Sequence, residues 1–328
     1  MSCQDKWHIL EIKNLSVTFR QYDKGVRQTG LPVISNLNVS VHEGEIVAVV
    51  GASGSGKSLL AHAILGILPK NAQVEGEIYF QQDILTPQRQ KKVRGREIAL
   101  VPQSVNYLDP LMKVGKQVRN GDESKGAVSR VKKLFKNYNL DEGTEKLYPF
   151  ECSGGMSRRI LLSTALMGNP DLIIADEPTP GMELALAKKA MEDFRRFADE
   201  GKGVLLITHD IELALEVADR IAVFYAGTTV EEALVEDFKQ EETLRHPYTK
   251  ALWRALPRNG FATIPGSQPY VKELPKGCVF GPRCPQFTPE CQQDIPERVV
   301  RCGTVRCIKY QDDHSHHHHG EKEAHIHA

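Results

Sequence analysis

Residues 51–58 read Gly-Ala-Ser-Gly-Ser-Gly-Lys-Ser, which fits the phosphate-cradling pattern G-x-x-x-x-G-K-[ST]. Glycines at Gly51, Gly54 and Gly56 let successive backbone N–H groups turn inward on nucleotide phosphates. The flanks supply the context such a loop needs. Glu45-Ile46-Val47-Ala48-Val49-Val50 reads as a buried strand, and residues 59–68 carry helical spacing. The helix N-terminus then adds positive potential at the phosphates. Gly51, Ala52, Ser53, Gly54, Ser55, Gly56, Lys57, Ser58 and Leu59 are therefore expected to bind nucleotide. Lys57 would reach the β- and γ-phosphates, and Ser58 would hold Mg²⁺ through its hydroxyl.

A second acidic motif indicates what happens to the nucleotide. The apolar run Leu172-Ile173-Ile174-Ala175 ends in Asp176-Glu177, with Asp176 lying 118 positions beyond Ser58. A carboxylate closing a buried strand is placed to serve Mg²⁺, and Glu177 beside it is placed to polarise the water that attacks the γ-phosphate. Nucleotide hydrolysis is the expected chemistry.

Between the two motifs lies Cys152-Ser153-Gly154-Gly155-Met156. A serine and two glycines opening a helix, here expected from Met156 to Met167, make an anion site. At these residues the chain resembles the ATP-binding subunits of ABC transporters, whose signature is an aliphatic or aromatic residue followed by Ser-Gly-Gly-Gln. The resemblance implies that Ser153, Gly154 and Gly155 cap the γ-phosphate held by a partner subunit, so that two chains sandwich ATP. It further implies that Gln103, in Val101-Pro102-Gln103, touches Mg²⁺ and contacts the membrane subunit. His209, in Ile207-Thr208-His209-Asp210, would contact the γ-phosphate, and Phe19 would stack on adenine. The resemblance spans essentially residues 9–310. The implied fold is an α/β P-loop NTPase with a mixed or parallel sheet and a small helical subdomain at about 104–168, inside a nucleotide-binding domain of residues 1–240. Met156 in place of Gln is similar to the peptide and nickel importers. Two positions depart from the usual pattern. Glu183 stands in the D-loop (Pro178-Thr179-Pro180-Gly181-Met182-Glu183) where Asp is usual, which touches the cross-dimer contact. Cys152 stands where Leu or Phe is usual, a packing change because free Cys behaves as a small hydrophobe.

Composition fits a globular ATPase without a nucleic-acid partner. Lys and Arg total 42 and Asp and Glu total 42, so the chain carries no net basic footprint. No run approaches the ~18 apolar residues that span a membrane, and residues 1–6 lack a signal peptide's charged start and apolar core. The chain is thus expected at the cytoplasmic face of the membrane, held there by partners. Hydrophobic patterning predicts strands near 9–19, 33–41, 45–50, 73–80, 97–101, 171–175 and 203–207, with a closing strand at 221–225. Helices are expected over about 126–138, 184–200 and 211–219. Residues 20–32 read as an exposed hairpin loop. The segment between Gln103 and Ser153 is short for the family, which would thin the subdomain that docks on the permease. No internal repeats are apparent.

Beyond about residue 240 the character changes. His246-Pro247-Tyr248-Thr249-Lys250-Ala251-Leu252 is similar to a segment of the oligopeptide, dipeptide and nickel branch. Frequent Pro and Gly then favour an irregular extension over residues 241–311. Five of the seven cysteines fall here, and in a cytosolic protein such a cluster points to metal rather than to disulfides. The stretch Gly277-Cys278-Val279-Phe280-Gly281-Pro282-Arg283-Cys284-Pro285 resembles that branch's Cys-rich segment. Some members hold a [4Fe–4S] cluster there, which implies Cys278, Cys284, Cys291 and Cys307 as ligands, with Cys302 outside the set. The spacings alone do not choose iron over Zn²⁺. Residues 312–328 hold seven histidines, interspersed with acidic residues rather than in one uninterrupted tag. Such a tail can chelate Ni²⁺ or Zn²⁺ and tilts the cargo from peptide toward nickel or a metal chelate.

An importer's ATPase is the expected function. It would work with a second ABC ATPase (the same chain or a related one), two transmembrane permeases and an extracytoplasmic substrate-binding protein. A non-transport ABC ATPase would call for a second cassette, a coiled-coil insert or a basic surface, and the sequence has none. A metal buffer with a vestigial ATPase would call for a damaged Lys57 or Glu177, and both are intact.

Overall fold

The computed structural model describes residues 7–23, 25, 27–52 and 54–310. The strand leading into the Gly-rich loop organises everything else. It is β3 (Ile46–Gly51), buried throughout, because its neighbours cover both faces. Before it come β1 (His8–Asp23) and β2 (Arg27–His42), an antiparallel hairpin. After it come α1 (Lys57–Leu65), β4 (Ala72–Phe80), β5 (Asp83–Ile84), α2 (Pro87–Val93) and β6 (Ile98–Val101). A helical layer follows, with α3 (Val114–Val118), α4 (Lys125–Asn137) and α5 (Gly154–Met167). Alternation then resumes through β7 (Leu172–Asp176), α6 (Leu184–Asp199), β8 (Gly203–Thr208), α7 (Ile211–Val217), β9 (Arg220–Tyr225) and β10 (Thr228–Leu234). The last elements are α8 (Pro247–Arg254), β11 (Arg298–Val300) and β12 (Gly303–Val305).

Two sheets result. One is antiparallel in the order β2-β1-β4-β5. The other runs β11-β12-β10-β9-β3-β8-β7-β6, parallel from β9 to β6 and antiparallel from β9 to β11. Side chains of β3 alternate between two cores. Val47 and Val49 face a core shared with α1 and the antiparallel sheet, while Ile46, Ala48 and Val50 face one built with α5, α6 and α7. Helix α6 shows how the pattern directs packing. Leu186, Ala187, Ala190, Met191, Phe194 and Ala198 form its buried stripe at three- and four-residue spacing. Fully burying Phe194 contributes on the order of 2 kcal/mol. The helical layer has its own cluster around Val114, Val131, Phe135 and Ile160, and Cys152 packs against it.

Four expectations need correction. Residues 20–32 are mostly strand, because β1 and β2 stay paired out to Asp23 and Arg27. Strand β9 does not close the sheet, which continues into β10, β12 and β11. Helix α5 starts at Gly154 rather than Met156, since Ser153 caps it by accepting from Met156 N–H at 3.2 Å. The extension is less irregular than its Pro and Gly content suggested: α8 packs on β10, and the β11–β12 hairpin joins the main sheet. Among the described residues no helix is long and apolar enough to cross a membrane. The His-rich segment 312–328 lies outside the described residues.

Candidate functional site

The parallel strands β3, β7 and β8 end side by side, and loops leaving their carboxyl ends carry the chemistry-bearing residues. Gly51 ends β3 where a Cβ would come within 2.2 Å of the Phe224 carbonyl oxygen, so only glycine fits. Gly54 (φ 77) and Gly56 (φ 97) turn the loop through left-handed backbone into α1. Gly56 caps α1 without a side-chain bond, which leaves the first helical N–H groups for an anion. Ser53 lies outside the described residues. Ser55 is buried, and its hydroxyl has no hydrogen-bond partner among the described residues. Lys57 folds back over the loop, Nζ donating to the Gly51 and Ala52 carbonyls at 2.9 Å each. Burial pushes its pKa down, while the charges of Glu177 and Asp176 oppose that shift.

Ser58 Oγ donates to Asp176 Oδ1 at 3.1 Å. Asp176 is buried, and burial pushes its carboxyl pKa up. A hydroxyl and a carboxylate oxygen meeting in this way are hard donors suited to a hard cation. Glu177, also buried, adopts left-handed backbone (φ 48), which costs a non-glycine residue about 1–3 kcal/mol. Its N–H is held by the Ile207 carbonyl at 2.8 Å. Its carboxylate meets His209 Nδ1 at 2.8 Å through Oε1 and accepts from Thr208 Oγ1 at 3.4 Å through Oε2. The His209 side chain is otherwise 61% exposed, leaving the ring open to a ligand.

Other sequence-derived residues join this cluster less directly. Gln103 has an exposed side chain and enters through its carbonyl, which accepts from Arg158 Nη2 at 3.0 Å. The same guanidinium donates to the Glu177 carbonyl at 2.8 Å. Phe19 lies half-buried on β1 at the edge of the core that contains Leu60 of α1. Leu59 packs against the same core. Ser153, Gly154 and Gly155 sit at the N-terminus of α5, with Ser153 Oγ engaged in its own cap. Sequence reasoning missed Arg158 and also Tyr248, a buried residue of α8 whose hydroxyl lies near the backbone of Ala52. Only the family-like segment around His246 signalled the latter. That segment is tied down by Glu231, which accepts from the N–H groups of Arg245 (2.9 Å) and His246 (2.8 Å).

Away from this cluster, Cys278, Cys284, Cys291 and Cys307 line one small cavity with His246. Burial, with the neighbouring thiols adding to it, pushes Cys278 up to about 11. As the side chains stand, no group of three or more His, Cys, Asp or Glu among the described residues is arranged to hold a metal ion.

Residues 34–180 match the ABC transporter family, and residues 230–291 match the C-terminal region of oligopeptide/dipeptide transporters. The oligopeptide transport ATP-binding protein OppD of Haemophilus influenzae is 34% identical over 302 residues, covering 87% of this chain and 91% of that protein. The dipeptide transport ATP-binding protein DppD of the same organism is 33% identical, covering 90% and 95%. Among solved structures, a dimeric ATP-binding cassette in a post-hydrolysis state bound to ADP and Pi superposes with a TM-score of 0.60. It is 29% identical, covering 69% of this chain and 98% of its own.

Proposed function

The chain belongs to the ATP-binding subunits of oligopeptide and dipeptide ABC transporters, and from that premise we propose how its residues work and what they move. It is an ABC-type ATPase, the ATP-hydrolysing subunit of an importer, and such subunits work as dimers on membrane permeases. The observation that carries the mechanism is the Glu177 carboxylate. It is buried, oriented by His209 and Thr208, and adjacent to the Ser58–Asp176 pair.

In this reading the loop from Gly51 to Leu59 wraps the phosphates and Phe19 stacks on adenine. Lys57 leaves its two carbonyl partners for the β- and γ-phosphates, whose charge offsets the desolvation of its ammonium. Ser58, Asp176 and Gln103 would hold Mg²⁺, which neutralises phosphate charge when bound. Glu177 takes the proton of the attacking water, and His209 fixes the carboxylate's direction and steadies the γ-phosphate. The exposed N-terminus of α5, with Ser153, Gly154 and Gly155, closes the site of a second copy or a related ATPase. A groove on the helical layer, lined by Leu111, Met112 and Tyr148, is the face offered to a permease. A substrate-binding protein delivers cargo on the far side of the membrane.

Peptide is the favoured cargo, because the similar relatives are named for oligopeptides and dipeptides. The His-rich composition of residues 312–328 favours nickel as a second reading. Uptake of labelled dipeptide and of labelled nickel, in cells carrying the intact chain or Glu177→Gln, separates them. Dipeptide uptake lost in the mutant supports the peptide reading. Loss confined to nickel replaces it with the second, and no loss of either refutes the importer role.

The four cysteines are assigned to a structural [4Fe–4S] cluster or Zn²⁺, on the strength of four soft donors around one cavity. Iron, sulfide and zinc analysis of anaerobically purified protein tests this. Absence of both metals at stoichiometric level removes the assignment.

A further inference from the structure

Two adjacent arginines on α5 point the same helix at two different parts of the molecule. Arg159 donates to the carbonyls of Tyr138 (3.0 Å) and Asn139 (2.8 Å), at the end of α4, and so binds α5 into the helical layer. Arg158 goes the other way. Its guanidinium reaches the Glu177 carbonyl at 2.8 Å and the Gln103 carbonyl at 3.0 Å. Those carbonyls lie just beyond the carboxyl ends of β7 and β6, neighbouring parallel strands whose ladder stops at Ala175 and Val101. The two loops are therefore joined by one planar, rigid donor group.

The Glu177 contact has particular weight. Glu177 holds left-handed backbone, a conformation that persists only where its surroundings impose it. Its N–H is fixed by Ile207 and its C=O by Arg158, so both of its backbone polar groups are anchored. Through the guanidinium, a change in the Gln103 loop or in the seat of α5 reaches the backbone that aims the carboxylate at His209 and Thr208.

We propose that Arg158 is the positioning residue for hydrolysis, locking Glu177, the Gln103 loop and α5 into one unit so that the water-activating carboxylate is aimed only when the helical layer is seated on the core. This rests on the role given above to Glu177. It predicts a defect in turnover rather than in nucleotide binding, because Arg158 touches neither the loop of residues 51–58 nor Lys57 in the bonds described.

The test is steady-state ATP hydrolysis and fluorescent ATP-analogue binding on the full-length chain, comparing wild type with Arg158→Ala, Arg158→Lys and Arg159→Ala. Expected is a tenfold or greater fall in kcat for Arg158→Ala, with nucleotide Kd within threefold of wild type. Arg158→Lys should recover part of the rate, since an ammonium can serve the carbonyls less rigidly. If Arg158→Ala does not fold, Arg158→Lys carries the same comparison, with an intermediate kcat at unchanged Kd expected. Arg158 variants that turn over at the wild-type rate would overturn the proposal while leaving the ATPase reading intact. So would kcat and affinity falling together in proportion, the outcome expected of Arg159→Ala, which would mark a merely structural role. A wild-type chain without ATPase activity removes both.

Discussion

Replacing Asp176 with Asn asks whether that buried carboxylate is held for a cation or for the fold. Asp176 is 3% exposed at the end of β7, with Ser58 Oγ donating to it and Lys57 as the nearby opposite charge. Burial raises its pKa from 3.8, and the adjacent Glu177 charge adds to the rise. Between the unfolded value and the raised folded one, the native chain keeps a proton that the unfolded chain releases. Stability therefore falls as pH rises through that window, and a carboxylate at neutral pH sits there at a cost. Asn keeps the shape, still accepts from Ser58 and has no charge to desolvate. The nucleotide-free variant should gain about 1 kcal/mol, or about 2 °C in Tm. Ligand reverses the order. A ligand at a hundredfold excess over Kd stabilises by about 2.7 kcal/mol. Losing the carboxylate should weaken Mg²⁺-dependent binding at least about tenfold, removing ~1.4 kcal/mol of that. Thermal unfolding with ATP, in Mg²⁺ or in EDTA, reads both effects. The expected outcome is a more stable apo protein whose Mg²⁺-dependent increment falls by about half or more, as those two figures imply. A less stable apo protein, or an undiminished increment, refutes the reasoning.

Other outcomes follow from the same geometry. Lys57→Ala should weaken ATP binding by about 100-fold or more, the loss of charge-assisted contacts to phosphate. Equilibrium binding with a fluorescent ATP analogue checks this, and unchanged affinity contradicts the phosphate-cradle assignment. Gly51→Ala would set a Cβ 2.2 Å from the Phe224 carbonyl oxygen and should cost about 3 kcal/mol or more by forcing β3 from β9. Circular-dichroism melts report it, and a wild-type Tm would show that the strands can part there freely.

The Gly-rich loop, the strand ending in Asp176-Glu177 and the strand–helix alternation were legible because each is a local pattern: glycines at fixed offsets, or an apolar run ending in acid. Strand β10 was not, since two adjacent glutamates, Glu231 and Glu232, interrupt its apolar pattern. Both are buried, one paired with Arg245 and the other with Arg220, partners set by tertiary structure. Burial pushes Glu232 up to about 7 despite Arg220. The hairpin at 20–32 was misread because polar side chains there hide the continuous pairing of β1 with β2. Arg158 was invisible for a related reason. Its partners are backbone carbonyls 19 and 55 positions away, and no side-chain pattern records them.

The most direct test of the central claim is ATP turnover by the purified chain carrying Glu177→Gln. Gln preserves the size of the side chain and removes the carboxylate that His209 and Thr208 orient, the proposed base. A general base contributes about 10²–10⁴-fold, so kcat should fall at least about 100-fold while ATP affinity holds. With ATP bound and unspent, the chain should accumulate as a closed dimer. Turnover within a few-fold of wild type would contradict the account, because the buried carboxylate would then not be what activates water.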